Sequence, residues 1–185
     1  MKKFILIILA SVFLFFINSN IIFAQEKMSS QAANMSPTPT PQYQLPYPGL
    51  LPDNPLYFIK TFRDRVIDFL VASPLKKAEL NLLQADKRLA AGAALFEKDK
   101  KELAESTISK GENYFEEAVV KAKEAKIQGM DVKLLLQNMP LSAKKHQEVL
   151  KNLEKKSSGD LKNKFGLLIA RMAKLEKQVN DIIKR

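Results

Sequence analysis

Leu161, Phe165, Leu168, Met172, Leu175, Val179 and Ile182 recur at alternating steps of four and three residues. That spacing lines one face of an α-helix with apolar side chains and gives a strand no consistent face. The same rhythm runs through Leu75, Ala78, Leu82, Ala85, Leu89, Ala93 and Phe96, and again through Ala104, Ile108, Gly111, Phe115, Ala118, Ala122 and Ala125. Helices with one apolar seam bury it against each other, and neither a hairpin turn signal nor an alternating run interrupts the series. The spacing predicts an all-α fold, an antiparallel bundle of about five helices.

The first helix is expected to run from Pro55 to about Val71 and to bury Leu56, Ile59, Phe62, Val66, Phe69 and Leu70. Asp53 or Asn54 would cap it, with Pro55 at the first helical position, where no backbone donor is lost. Ser73-Pro74 repeats that start for a long, Ala-rich second helix. A joint near Glu97 to Lys101 leads to a third helix, Lys100 to Ile127, with Glu112, Glu116 and Glu117 on its polar face. Gly111 inside it implies a packing contact or a kink, Gln128-Gly129 ends it, and Asp131 caps the next. Pro140 either stops a short helix, leaving Ser142 to cap another to about Lys156, or kinks a continuous one. Ser157-Ser158-Gly159 is the last turn.

Ahead of this lies a different kind of sequence. Met1-Lys2-Lys3 followed by the apolar run Phe4 to Ile17 and a small residue at Ala24 reads as a secretory signal peptide over residues 1–24. Phe4 to Ala24 is also long enough to cross a bilayer, so an uncleaved N-terminal membrane anchor is the alternative. Residues 25–48, with Pro37-Thr38-Pro39-Thr40-Pro41 at their centre, read as a disordered Pro-rich linker, and residues 49–185 as the helical domain. The localisation expected is exported, secreted or at the cell surface. With no cysteine, there is neither a disulfide framework nor a thiolate metal site.

The formal charge is +10, and it is concentrated late: residues 131–185 carry thirteen Lys and Arg against six Asp and Glu. Lys144, Lys145, Lys151, Lys155, Lys156, Lys162 and Lys164 are the candidates for contact with an anionic surface, joined by Lys174 and Lys177 on the last helix. The partners expected are anionic envelope components or another envelope protein. The leader, the scarcity of Arg and the lack of aromatics among the lysines all oppose nucleic acid.

No constellation for catalysis emerges. His146 is the sole histidine, and the flanking Lys144 and Lys145 oppose a metal there. It is read as a helix-surface or inter-helix packing residue whose replacement by Ala leaves stability nearly unaltered. Glu116 with Glu117 and Asp64 with Asp68 are read as solvated pairs. Nucleotide-binding loops, nucleophile elbows and zinc-helix motifs are missing. The chain is therefore expected not to be an enzyme and to need no cofactor: a non-catalytic binding or structural module, or alternatively an extracytoplasmic chaperone-like or stress-sensing protein.

One stretch carries a resemblance. Leu51-Pro52-Asp53-Asn54-Pro55-Leu56-Tyr57 with Lys60, then Ala85-Asp86-Lys87-Arg88-Leu89, and later Lys145-His146-Gln147-Glu148-Val149-Leu150, are similar to a bacterial family of exported proteins known as a domain of unknown function (DUF5667-like). The similarity spans roughly Pro48 to Lys155. It implies an all-helical extracytoplasmic domain, with Leu51, Pro52, Asp53, Pro55, Leu56, Tyr57, Lys60 and His146 as structural motif residues, and it implies no activity.

Overall fold

The computed structural model describes residues 43–184. The leader and most of the linker, residues 1–42, lie outside the described residues, so the expectations for them have no structural counterpart. Five helices follow one another: α1 (Tyr57–Leu70), α2 (Pro74–Glu97), α3 (Lys101–Ile127), α4 (Lys133–Lys155) and α5 (Gly159–Lys184). Among the described residues there is no strand. Three-residue connections fold α2 back on α3 and α4 back on α5, and the two hairpins meet through α3 against α5 and α2 against α4. Within the connection from α2 to α3, Asp99 adopts a φ of 59°. The Lys100 N–H then reaches the Leu95 carbonyl at 3.0 Å and closes the helix end. Gly129, with φ 74°, does the same for α3, as the residue types there predict.

The seams meet as the spacing requires. Ala85, Leu89, Leu95, Ile108, Phe115, Met139, Leu150, Phe165, Met172 and Val179 are completely buried. Phe96 meets Phe165 edge to face, with ring centroids 6.0 Å apart. Beyond Leu89 the buried face of α2 passes through Gly92 and Leu95, leaving Ala93 half-buried, because a straight helix of 3.6 residues per turn drifts off a strict seven-residue repeat. The glycines explain how closely α2 and α3 approach. A Cβ on Gly92 would fall 2.2 Å from Cγ1 of Ile108, and one on Gly111 would lie 3.0 Å from Cβ of Arg88. Gly111 is therefore a packing contact.

Two further expectations are settled here. Pro140 lies inside an unbroken α4, so Ser142 sits in mid-helix and caps nothing. The N-cap of α4 is Val132 and not Asp131 as expected; Asp131 accepts the Lys133 N–H at 3.1 Å in the turn ahead of it.

The first helix overturns its expectation twice. It begins at Tyr57, and Pro55 belongs to the turn before it. Asn54 Oδ1 accepts the Leu56 N–H at 2.9 Å, while Asp53 turns away to Lys98 (3.2 Å) and Lys100 (2.9 Å). The stripe expected in the core faces outward: Leu56 is 53% exposed, Phe62 69%, Phe69 87% and Leu70 71%, and Ile59 and Val66 are exposed as well. No residue of α1 is buried. The reason lies in the surface beneath. Four seams already close the core, and the flank of α2 and α3 on which α1 rests carries Lys77, Asn81, Gln84, Asn113 and Tyr114 around small clefts. Polar side chains of α1 meet that flank, with Asp68 4.0 Å from Lys77.

Candidate functional site

Four segments place polar side chains at one point inside the bundle. Asp86 of α2 follows Leu82 by four residues, Glu112 of α3 follows Ile108 by four, and Ser142 and His146 of α4 continue the inward series from Met139 towards Leu150. Each occupies a seam register that apolar residues fill elsewhere. Tyr43 arrives from the extended segment before α1. Glu112, Ser142 and His146 have no exposed surface, and Asp86 has almost none.

The hydrogen bonds form a closed network. Asp86 Oδ1 accepts from Ser142 Oγ at 2.6 Å and faces His146 Nε2 at 3.0 Å, and Oδ2 accepts from Tyr43 Oη at 2.6 Å. On the other side of the ring, His146 Nδ1 lies 3.1 Å from Glu112 Oε1. Phe115 covers the imidazole edge to face, its centroid 5.5 Å away. Both ring nitrogens thus face carboxylate oxygens, a geometry that needs a proton on each line of contact. Glu112 Oε2 is buried with no hydrogen-bond partner among the described residues.

Burial raises the Glu112 carboxyl above its ordinary range, against the pull of the His146 hydrogen bond. Burial alone would depress the His146 imidazolium, but hydrogen bonds to Asp86 and Glu112 outweigh it and hold the ring above its ordinary value. Burial, and then the charge of Asp86, push the Tyr43 phenol well above the usual tyrosine range. The site retains protons.

This direction fixes a pH dependence. His146 is raised above 6.5, so its stabilising contribution is complete below that pH and disappears as pH rises through its folded value. Glu112, raised above 4.5, acts in the same sense at lower pH. Denaturant titrations should show stability falling as pH is raised from 6 towards 9, and His146→Gln should flatten that slope. A rise in stability over the same interval would contradict the arrangement.

Chemically the cluster can store a proton and cross-link helices. Ser142 gives its hydrogen to Asp86 rather than to the imidazole. Both imidazole nitrogens are committed to carboxylates of the protein itself. Among the described residues no group of three His, Cys, Asp or Glu is arranged to hold a metal ion.

Of the motif residues, Leu51, Asp53 and Lys60 make ties, joined by Leu45 from outside the motif, while Leu56 is 53% exposed. Leu45 and Leu51 pack against the core, Asp53 bridges to the α2–α3 connection, and Lys60 Nζ donates to the carbonyls of Pro48 (2.6 Å) and Leu50 (3.2 Å). Together with Tyr43 they strap the lead-in along the bundle. His146, expected on a surface or between helices, lies between helices, and its contacts with two buried carboxylates argue against a silent loss. Glu112, placed on the polar face by its neighbours, is wholly buried. Its fourth-residue relation to Ile108 was the available signal.

The candidate lysines are less uniform than their sequence suggests. Lys144, Lys151, Lys155 and Lys162 are exposed. Lys145 pairs with Glu148, Lys156 with Glu97 and Lys164 with Asp160, at 2.7 to 2.9 Å. Glu116 pairs with Arg171, and Asp64 with Arg63. An open cleft of about 580 Å³ lies between the C-terminal ends of α3 and α5, where Lys126 Nζ donates to the Ile182 carbonyl. No curated protein and no solved structure matches the chain. The sequence model of the family described as a domain of unknown function (DUF5667) matches residues 49–160, more than half of the chain, and the chain belongs to that family.

Proposed function

We propose that the chain is a non-catalytic binding module exported to the cell envelope, with the bundle α2–α5 as its rigid body and α1 as its contact surface. One observation carries this reading: α1 turns Phe58, Phe62 and Phe69 to the surroundings on a bundle whose core closes without it. An exposed aromatic stripe of this kind marks an interaction site. The polar cluster supports the same reading, because it is sealed from substrate and its hydrogen bonds are spent on holding helices together. Export rests on the leader read from residues 1–24, and the exposed lysines add attraction to anionic envelope components.

A photo-cross-linking side chain tests it in producing cells. Phe62→p-benzoylphenylalanine and Phe69→p-benzoylphenylalanine are expected to give discrete adducts in the envelope fraction, whereas the same side chain at Leu167, 72% exposed on α5, gives none. No adducts from α1, or equal adducts from both helices, would contradict the proposal. The second reading, a chaperone-like or stress-sensing protein, draws on the same aromatics. It predicts a smear of adducts with many unfolded proteins and suppression of client aggregation that salt barely alters.

A further inference from the structure

We infer that α1 is an interfacial helix whose apolar face lies on an anionic lipid surface. The inference rests on the reading of α1 as the contact surface and names what that surface meets. At about 100° per residue, Phe58, Phe69, Phe62, Val66, Ile59 and Leu70 fall in one arc of roughly 120° on α1. Arg65 borders the arc on one side and Arg63 on the other. This is the arrangement of a helix lying flat in a membrane interface, with aromatic and aliphatic side chains below and guanidinium groups at headgroup level.

The acidic residues are placed to match. Asp64 and Asp68 lie on the opposite side of α1, towards the bundle, where Asp68 faces Lys77 and Asp64 takes the Arg63 guanidinium at 2.8 Å. Arg63 nevertheless keeps 62% of its side chain exposed. The outward face is apolar with a basic border, on a chain of formal charge +10, and such a face is complementary to anionic lipid. A second copy of the chain fits less well. A two-fold contact through α1 would set each arginine border near the partner's own and bring together two strongly basic bodies. Among the described residues no helix is long and apolar enough to span a membrane, so α1 would lie on the lipid.

The chain has no tryptophan, which makes Phe62→Trp a sole reporter in the full chain. Leu167→Trp, at a position 72% exposed on α5, is the control. Each is mixed with vesicles of equimolar phosphatidylglycerol and phosphatidylcholine, and with vesicles of phosphatidylcholine alone. The Phe62→Trp emission is expected to move to the blue and to be quenched by brominated acyl chains in the anionic vesicles, several-fold less in the neutral ones. Leu167→Trp should stay unshifted, even if the N-terminal segment holds the chain on the bilayer. Arg63→Gln with Arg65→Gln should raise the lipid concentration for half-binding several-fold.

Unchanged Phe62→Trp emission with both vesicles would overturn the lipid assignment. In that event the cellular adducts at Phe62 decide separately whether α1 contacts anything. A blue shift that follows protein concentration without lipid would overturn it in favour of a second copy, and equal shifts at both tryptophans would overturn it in favour of nonspecific adsorption of the whole chain.

Discussion

His146→Ala should destabilise the bundle by about 3 to 5 kcal/mol, the usual consequence of removing one partner from a buried ionic cluster. The loss has two parts. Asp86 keeps donors from Ser142 and Tyr43, but Glu112 loses its one side-chain partner while its second oxygen already has none. The imidazole volume packed against Phe115 also becomes a cavity. Chemical denaturation at pH 7 measures the effect. Glu112→Gln separates the parts, because it keeps a side chain of the same shape while removing the charge that His146 offsets. Combining the two substitutions should cost less than the sum of the single ones, as expected for groups in direct contact. Additivity would mean that ring and carboxyl do not act as a pair.

Leu168→Asp should cost about 3 kcal/mol or more and can abolish cooperative unfolding, because it drives a carboxylate into the α5 seam between Phe165 and Met172. Its neighbour supplies the contrast. Leu167 is 72% exposed, and Leu167→Asp should stay within about 0.5 kcal/mol of the parent. Thermal melting followed by circular dichroism distinguishes the two. Similar losses at both positions would mean that α5 is rotated from the register described, and an unchanged melt for Leu168→Asp would remove the seam from the core.

These paired positions show how much of the fold the sequence makes legible. The α5 seam is read without error, since every step of four and three from Leu161 to Ile182 faces inward. The α3 seam is read equally well. Both helices contribute to a core that their own spacing specifies. For α1 the same rule fails. Periodicity reports which face is apolar, and it says nothing about whether other elements leave a groove for that face. Here four helices suffice, and among the described residues nothing receives the apolar stripe of Leu56 to Leu70.

The polar cluster was not read from the sequence, which sets Glu112 on the polar face of its helix. Asp86, Glu112 and His146 fit the inward register of their helices, but a local reading of charge assigns Glu112 to the face of Glu116, and His146 to the company of Lys145. The network exists only when three helices meet, so no single stretch displays it. Tyr43 is the extreme case, a residue in a proline-rich segment whose partner is Asp86 in the middle of α2. The motif around Asp53 was recognisable by its residues, yet its anchors Lys98 and Lys100 lie in a connection far along the chain.

The outward face of α1 is the claim on which the functional account rests, and thermal melting of Phe62→Gln with Phe69→Gln tests it most directly. Glutamine keeps helix propensity while removing two large apolar side chains. With those rings exposed to solvent, the midpoint should stay within about 2 °C of the parent. A fall of about 10 °C or more would mean that the rings are packed in a core and that α1 is a fifth member of the bundle.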